Sequence, residues 1–324
     1  MAKHHDLGGH PAGPVERIET TANHWQKRME AMRDCLARRP IPVMHVDEMR
    51  RAIEDLDGDL YGRLSTYQRK TLAIRDVLLE KGVIDAAEMK AEIAWRRRER
   101  EKDIATAATL PDHRGHDHDQ EHLPPESPTV DEYELISEAM IAGLIARGVL
   151  HPSDLRRGIE RAEAAGPALG ADIVARAWTD AAFKARLLVS GKEALTAIGI
   201  DALEAGIVAV ENTQDVHNLI VCTLCSCYPR SILGSPPAWY VGTAYRARAV
   251  REPRQILAEF GFNLPDGVRV RVHDSTADMR YIVIPMRPPG TENWPMEKLR
   301  RLVTRDSLIG VAPALDAHEV EGRS

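Results

Sequence analysis

The sequence predicts an α+β protein in two parts: an N-terminal helical domain, then a domain that joins a helical arm to a small β-sheet core. Three observations predict it. Apolar residues recur every three or four positions through most of the first hundred residues, the period of an amphipathic helix. Past residue 200 the period changes to short β-branched runs such as Ile207-Val208-Ala209-Val210 and Leu219-Ile220-Val221, which read as buried strands. Between these regions, residues 103–129 have no apolar period and are rich in His, Asp, Gly and Pro.

The elements follow in order. Residues 1–21 (His5-Asp6-Leu7-Gly8-Gly9-His10-Pro11) read as an extended arm. Trp25, Met29, Met32 and Leu36 mark a helix over 22–39, broken by Pro40 and Pro42. Helices are predicted over 46–56 and 64–81, the second with Leu72, Val77 and Leu78 on one stripe and Gly82 as its stop. Asp85 to Glu88 resembles a capping box for a further helix, expected to dissolve in the charged run 96–102. Residues 1–102 are thus one helical domain, 103–129 a His/Pro-rich linker and 130–324 a second domain. His113, His116, His118 and His122 match no zinc spacing and read as solvated linker. In the second domain, helices are predicted over 134–147, 153–165 and 172–188, with at least one more between Trp239 and Phe260. Val268 to Val272 alternates strictly, a strand with one wet face, and Tyr281 to Ile284 is its expected neighbour.

Composition excludes several classes. Apolar residues are 44% and charged residues 28% of 324, the balance of a soluble globular protein long enough for two domains. The net charge of -6 argues against charge-driven binding to nucleic acid or anionic membrane. No apolar run is long enough to span a bilayer, and the N-terminus lacks the apolar stretch of a signal peptide, so a cytoplasmic location is expected.

The chemistry concentrates in Cys222-Thr223-Leu224-Cys225-Ser226-Cys227-Tyr228-Pro229, which holds three of the four cysteines. A disulfide framework would spread them along the chain. A structural zinc would need a second CxxC knuckle, and Cys35 lies far off in sequence. The CxxCxC spacing forces a tight loop that can present three sulfurs and the intervening peptide groups to one ion with an open position. Three buried structural thiols are the alternative.

This segment resembles the metal claw of the nitrile hydratase family α subunit, a type of subunit shared with thiocyanate hydrolase. The similarity continues through Val174 to Trp178, Phe183 to Leu188, Glu211-Asn212-Thr213, Pro236 to Tyr240, Tyr245 to Arg248, Arg251 to Arg254, Pro285 to Glu292 and Val303 to Gly310. The first domain resembles the N-terminal half of the family's β subunit, at His5-Asp6-Leu7-Gly8-Gly9 and Leu78 to Ile84. No part of these residues resembles the SH3-like barrel that completes a β subunit, so a separate barrel subunit is the expected partner. A cobalt-delivery activator is another.

The resemblance implies Cys222, Cys225 and Cys227 as sulfur ligands, with the amides of Ser226 and Cys227 as nitrogen ligands. It implies Cys225 as sulfinate and Cys227 as sulfenate. Thr223 and Tyr228 fit the cobalt type, so non-corrin cobalt(III) is expected before iron(III). Arg50, with Arg51 beside it, falls where β-subunit arginines grip the oxidised sulfurs; an ordinary helix-surface pair is the other reading. The implied reaction is hydration of a nitrile to an amide, with Cys225, Cys227 and Arg50 in catalysis. Arg230 stands where nitrile hydratases carry a large aromatic. With Arg50, Arg51 and Tyr228 around the pocket it favours an anion, so thiocyanate is the alternative substrate. A non-catalytic cobalt storage or delivery protein is the alternative of another class. His217 reads as structural, His4, His5 and His10 as arm residues that wrap a partner, Trp239 and Tyr240 as core, and Arg246, Arg248 and Arg251 as buried ion-pair formers between the two halves.

Overall fold

A computed structural model describes residues 5–19, 22–38, 42–109, 130–202, 206–224, 227–276 and 278–322. The chain folds as two compact units. One comprises Met1–Ala22, Asp57–Tyr61 and Ile159–Ser324, and the other Asn23–Leu56 and Gly62–Gly158. No helix of the described residues is long and apolar enough to cross a membrane.

The helical unit is built from α1 (His24–Arg38), α2 (Val46–Glu54), α3 (Gly58–Arg63, shared with the other unit), α4 (Thr66–Glu80), α5 (Ala86–Thr109), α6 (Glu132–Ala146) and the start of α7 (Pro152–Ala164). Met29, Met32 and Leu36 of α1, Ile74 and Leu78 of α4, and Met140 and Leu144 of α6 are buried, the stripes that their spacing predicts. Ser65 caps α4, accepting from Gln68 N at 3.3 Å, while the Gln68 side chain accepts from Ser65 N at 2.9 Å. Inside this core lies an ion pair: Lys70 Nζ donates to Glu30 Oε1 at 2.7 Å, and both side chains are 5% exposed. Arg33 lies 3.2 Å from the other Glu30 oxygen.

α5 departs from expectation. It does not dissolve at 96–102 but runs on to Thr109. The charged run is paired rather than repelled. Arg96 bonds Glu92 one turn back, and Lys102 bonds Glu99. Arg96, Arg97 and Arg100 reach Glu138, Glu132 and Glu134 of α6. The helix therefore persists into the segment read as linker. His113, His116, His118 and His122 lie outside the described residues.

The second unit continues with α8 (Pro167–Thr179), α9 (Ala181–Val189), α10 (Gly191–Thr196), β1 (Gly206–Glu211), β2 (Val216–Val221), α11 (Arg230–Leu233), α12 (Ala238–Val241), α13 (Thr243–Arg248), α14 (Pro253–Glu259), β3 (Arg269–Asp274), β4 (Met279–Ile284), α15 (Met296–Leu299), a 3-10 turn (Arg300–Leu302), α16 (Arg305–Ile309) and α17 (Ala317–Glu321). The helix expected over 172–188 is two. Asp180 ends α8 in an extended conformation and its carboxylate caps Phe183 N at 2.8 Å.

β3 and β4 are not neighbours, contrary to the reading of their sequences. β1 pairs in parallel with β4 and β2 in parallel with β3, giving two two-stranded sheets. Burial accounts for this. β2 and β4 are buried over most of their length and lie against each other, while the alternating β3 takes an outer position with a wet face. A buried polar network locks β2. His217 Nε2 donates to Gly310 O at 2.7 Å, and Asn212 donates to His217 Nδ1 at 3.1 Å. Asn212 Oδ1 accepts from Asn218 N at 2.8 Å, and Asn218 Oδ1 accepts from His273 Nε2 at 2.9 Å. Gly310, at φ +91°, is required here: a Cβ would lie 2.0 Å from Asn218 O. His217 is structural in this network.

Two outcomes are expected. Lys70→Ala takes one of two cationic partners from the buried Glu30, leaving Arg33, and lowers stability by about 2 kcal/mol in urea unfolding. Acid weakens the β2 network. Burial holds His217 and His273 below the ordinary 6.5, with Arg271 adding to the effect at His273. Each is depressed in the fold, so its stabilisation is complete above 6.5 and lost as pH falls through the folded value. Urea midpoints measured at about pH 7.5 and about pH 5.5 drop on acidification, and His217→Gln reduces the drop.

Candidate metal centre

The cysteine segment is the loop from β2 to α11, of which Cys222, Thr223, Leu224, Cys227, Tyr228 and Pro229 are described; Cys225 and Ser226 lie outside the described residues. Cys222 is fully buried, Cys227 is 5% exposed, and neither is in a disulfide.

The loop leaves the apolar strand β2 with its backbone gripped at both ends. Tyr245 Oη donates to Ile220 O at 2.5 Å. Arg246 Nε donates to Cys222 O at 3.1 Å and its Nη2 to Thr223 O at 2.9 Å. Thr223 N and Oγ1 donate to the two oxygens of Asp274, at 2.9 and 2.5 Å. On the far side, Tyr240 Oη donates to Cys227 O at 2.9 Å. The tyrosine and arginine donors stand on α12 and α13, whose rings pack together. Trp239 meets Tyr245 at 5.0 Å and Phe260 at 4.7 Å, and Tyr240 meets Tyr228 at 5.0 Å, all edge to face. Burial pushes the Tyr240 and Tyr245 hydroxyls well above their ordinary range, which keeps them protonated donors.

Trp239 and Tyr240 are core, as read from sequence, but Tyr240 also has a task at the loop that its sequence context did not announce. The same holds for Tyr245 and Asp274. Asp274 ends an alternating strand, and only the parallel pairing of β3 with β2 sets it beside Thr223. The basic run is corrected. Arg248 does pair, with Glu252 at 2.9 Å and Glu259 at 2.7 Å. Arg246 and Arg251 instead donate to carbonyl oxygens, Arg251 to Gly9 O at 2.8 Å.

The arm read as wrapping a partner lies on this unit of its own chain. Leu7 N donates to Thr223 O at 3.3 Å and Gly9 N to Ala247 O at 2.8 Å. Arg248 donates to Gly13 O at 3.0 Å, and Val15 N donates to Glu259 at 2.9 Å. Arg17 stacks on Phe260, and Arg305 clamps Glu19, holding its carboxyl below the usual range. His5 is buried and His10 exposed. His4 lies outside the described residues.

Arg230 opens α11, half-buried, and its Nη2 lies 3.4 Å from Ser235 Oγ. Tyr228 is 2% exposed. Arg50 and Arg51 are on α2, in the helical unit. Arg50 approaches Asp47 and Glu54 at 3.8 and 3.9 Å, and Arg51 bonds Glu80 at 2.7 Å.

Cys222 and Cys227 put two buried thiols on one loop, and as thiolates they would suit a soft cation, although no group of three His, Cys, Asp or Glu among the described residues could hold a metal ion. The carbonyls of Ile220, Cys222, Thr223 and Cys227 accept from protein donors, which leaves the Cys222 and Cys227 side chains to face a ligand. Two buried hydroxyls at its edges, Tyr228 Oη and Ser275 Oγ, have no hydrogen-bond partner among the described residues. Tyr240→Phe leaves Cys227 O without its donor; unfolding of this unit should become easier by about 1 kcal/mol, and metal bound per chain should fall.

Comparison with known proteins shows the family of the chain. Residues 131–312 match the family "Nitrile hydratase, alpha chain", and residues 1–122 match "Nitrile hydratase beta subunit, N-terminal". The cobalt-containing nitrile hydratase α subunit of Pseudonocardia thermophila is 49% identical over 180 residues, 55% of this chain and 88% of that one. The thiocyanate hydrolase γ subunit of Thiobacillus thioparus is 42% identical over 195 residues, 56% of this chain and 80% of that one. A solved iron-type nitrile hydratase from Comamonas testosteroni Ni1 superposes with TM-score 0.52 at 41% identity, covering 56% of this chain and 88% of that one. With more than half of its length in the α-chain match and β-type sequence ahead of it, the chain belongs to the nitrile hydratase α-chain family of enzyme subunits.

Proposed function

We propose that this chain is a catalytic subunit that hydrates a C≡N group, nitrile to amide, at a non-corrin cobalt(III) held by Cys222, Cys225 and Cys227 and by the amides of Ser226 and Cys227. The buried Cys222 and Cys227, on a loop whose carbonyls are bonded elsewhere, are the observation that carries it. When bound, the ion supplies Lewis acidity and a position at which a weakly electrophilic carbon can be attacked by water. Cobalt-containing relatives favour cobalt over iron, the metal type of the Comamonas protein.

The chain's own groups do the rest. Cys225 as sulfinate and Cys227 as sulfenate present oxygens that orient water. Arg50 would be the partner of such oxygens through its planar fork, with Arg51 beside it in the substrate pocket. The hydroxyls of Tyr228 and Ser275 can donate to substrate or water. Burial of Cys222, Thr223, Cys227 and Tyr228 keeps bulk water from those parts of the loop. The β-type segment ahead of the α-type domain carries these arginines. The partner completing the site is a separate barrel protein resembling the C-terminal half of the family's β subunit, and an activator delivers cobalt.

A second reading rests on Arg230. A cation at the start of α11, joined by Arg50 and Arg51, suits thiocyanate, which would give carbonyl sulfide, ammonia and hydroxide with two waters. The thiocyanate hydrolase relative belongs to this reading.

The test is co-expression with a barrel-type partner in cobalt medium, then acrylonitrile and thiocyanate offered separately. Acrylamide without thiocyanate consumption establishes the nitrile reading; the reverse establishes the second. Arg230→Trp shifts preference toward the nitrile only if Arg230 faces substrate. Cys222→Ser removes the metal, and peptide mass spectrometry of active protein finds two added oxygens on Cys225 and one on Cys227.

A further inference from the structure

Arg246 is 2% exposed and forms no ion pair among the described residues. A guanidinium cannot shed its charge, so burial without a carboxylate demands compensation by dipoles. Three carbonyls supply it, from two distant parts of the chain. Nε donates to Cys222 O at 3.1 Å, and Nη2 donates both to Thr223 O at 2.9 Å and to His5 O at 3.2 Å. The first two oxygens belong to the cysteine loop and the third to the N-terminal arm.

The arm is tied to the same place by its neighbours. Leu7 N shares Thr223 O with the guanidinium. Gly9 N bonds the carbonyl of Ala247, the residue after Arg246. Gly8 lies so close to the loop that a Cβ there would sit 3.1 Å from Thr223 Cγ2. Arm, guanidinium and loop are thus one hydrogen-bonded unit. Removing either end leaves a buried charged donor short of an acceptor, which is the costly kind of loss.

We infer that Arg246 is a positioning residue for the metal loop and that it acts through the arm: it fixes the Cys222 and Thr223 peptide groups fully only while the His5 carbonyl completes its set. The inference rests on the metal-loop reading above. It makes the β-type arm a structural part of the α-type metal site, joined by backbone contacts that no sequence motif specifies.

The experiment compares the full chain with Arg246→Met, Arg246→Lys and Gly8→Val. The last forces the arm off the loop and leaves the guanidinium in place. Amide exchange is followed by mass spectrometry in metal-free protein, and cobalt content and the thiolate-to-metal absorption band after growth with cobalt. Gly8→Val should speed exchange in 221–224 about tenfold, as should Arg246→Met, because each loses at least one charge-assisted bond. Exchange in α4 should not change. Arg246→Lys should restore part of the protection and of the absorption band, since an ammonium keeps the charge but lacks the fork. If Arg246→Met does not fold, Gly8→Val alone decides. Loop exchange at the wild-type rate in Gly8→Val, with the arm amides freed, would overturn the coupling. Wild-type protein that takes up no cobalt when co-expressed with the barrel-type partner and a cobalt-delivery activator would instead overturn the metal reading beneath it, so the two failures are distinguishable.

Discussion

The cysteine loop depends on hydrogen bonds to its backbone carbonyls from buried side chains. Tyr240, Tyr245 and Arg246 are each at most 2% exposed, and each donates to Cys227, Ile220 or Cys222. In a dry site such bonds are strong, and a missing one is costly. They fix the peptide orientations at Ile220, Cys222, Thr223 and Cys227. A loop ordered only by what it binds would have to offset that ordering entropy from the binding energy. The aromatic cluster of Trp239, Tyr240, Tyr245 and Phe260 follows from the same need, because it holds the donors rigid.

Polar groups in the core are handled in two ways. Around β2 the network from Gly310 through His217, Asn212 and Asn218 to His273 is neutral, each donor matched to an acceptor. In the helical unit Glu30 and Lys70 are charged and paired. Neither arrangement adds much stability over an apolar core, but both penalise other registers, which would leave a buried group unmatched. In β2 that specificity serves the site, because a slip of one residue would turn Cys222 to the opposite face.

The arm adds a covalent consequence. Its sequence belongs to the β-type match and its contacts to the α-type unit. Joined in one chain, the contact forms at high effective concentration rather than by encounter of two separate proteins. Glu19 with Arg305, Arg17 with Phe260, and Arg248 with Gly13 spread the attachment over the length of the arm.

The order of residues was enough to specify the class of fold, the cysteine loop, the helices with a clear apolar stripe such as α1 and α4, and the core roles of His217 and Trp239. These are local properties: periodicity, spacing and capping act within a few residues. It was not enough to show that α5 continues through its arginines, because their glutamate partners lie on α6. Nor did it show that β3 pairs with β2 instead of β4, a choice made by burial on the scale of the whole unit. The roles of Asp274, Tyr240 and Arg246 were hidden for a related reason. A side chain that binds backbone reads no partner sequence, so long-range packing alone sets these three around Cys222, Thr223 and Cys227.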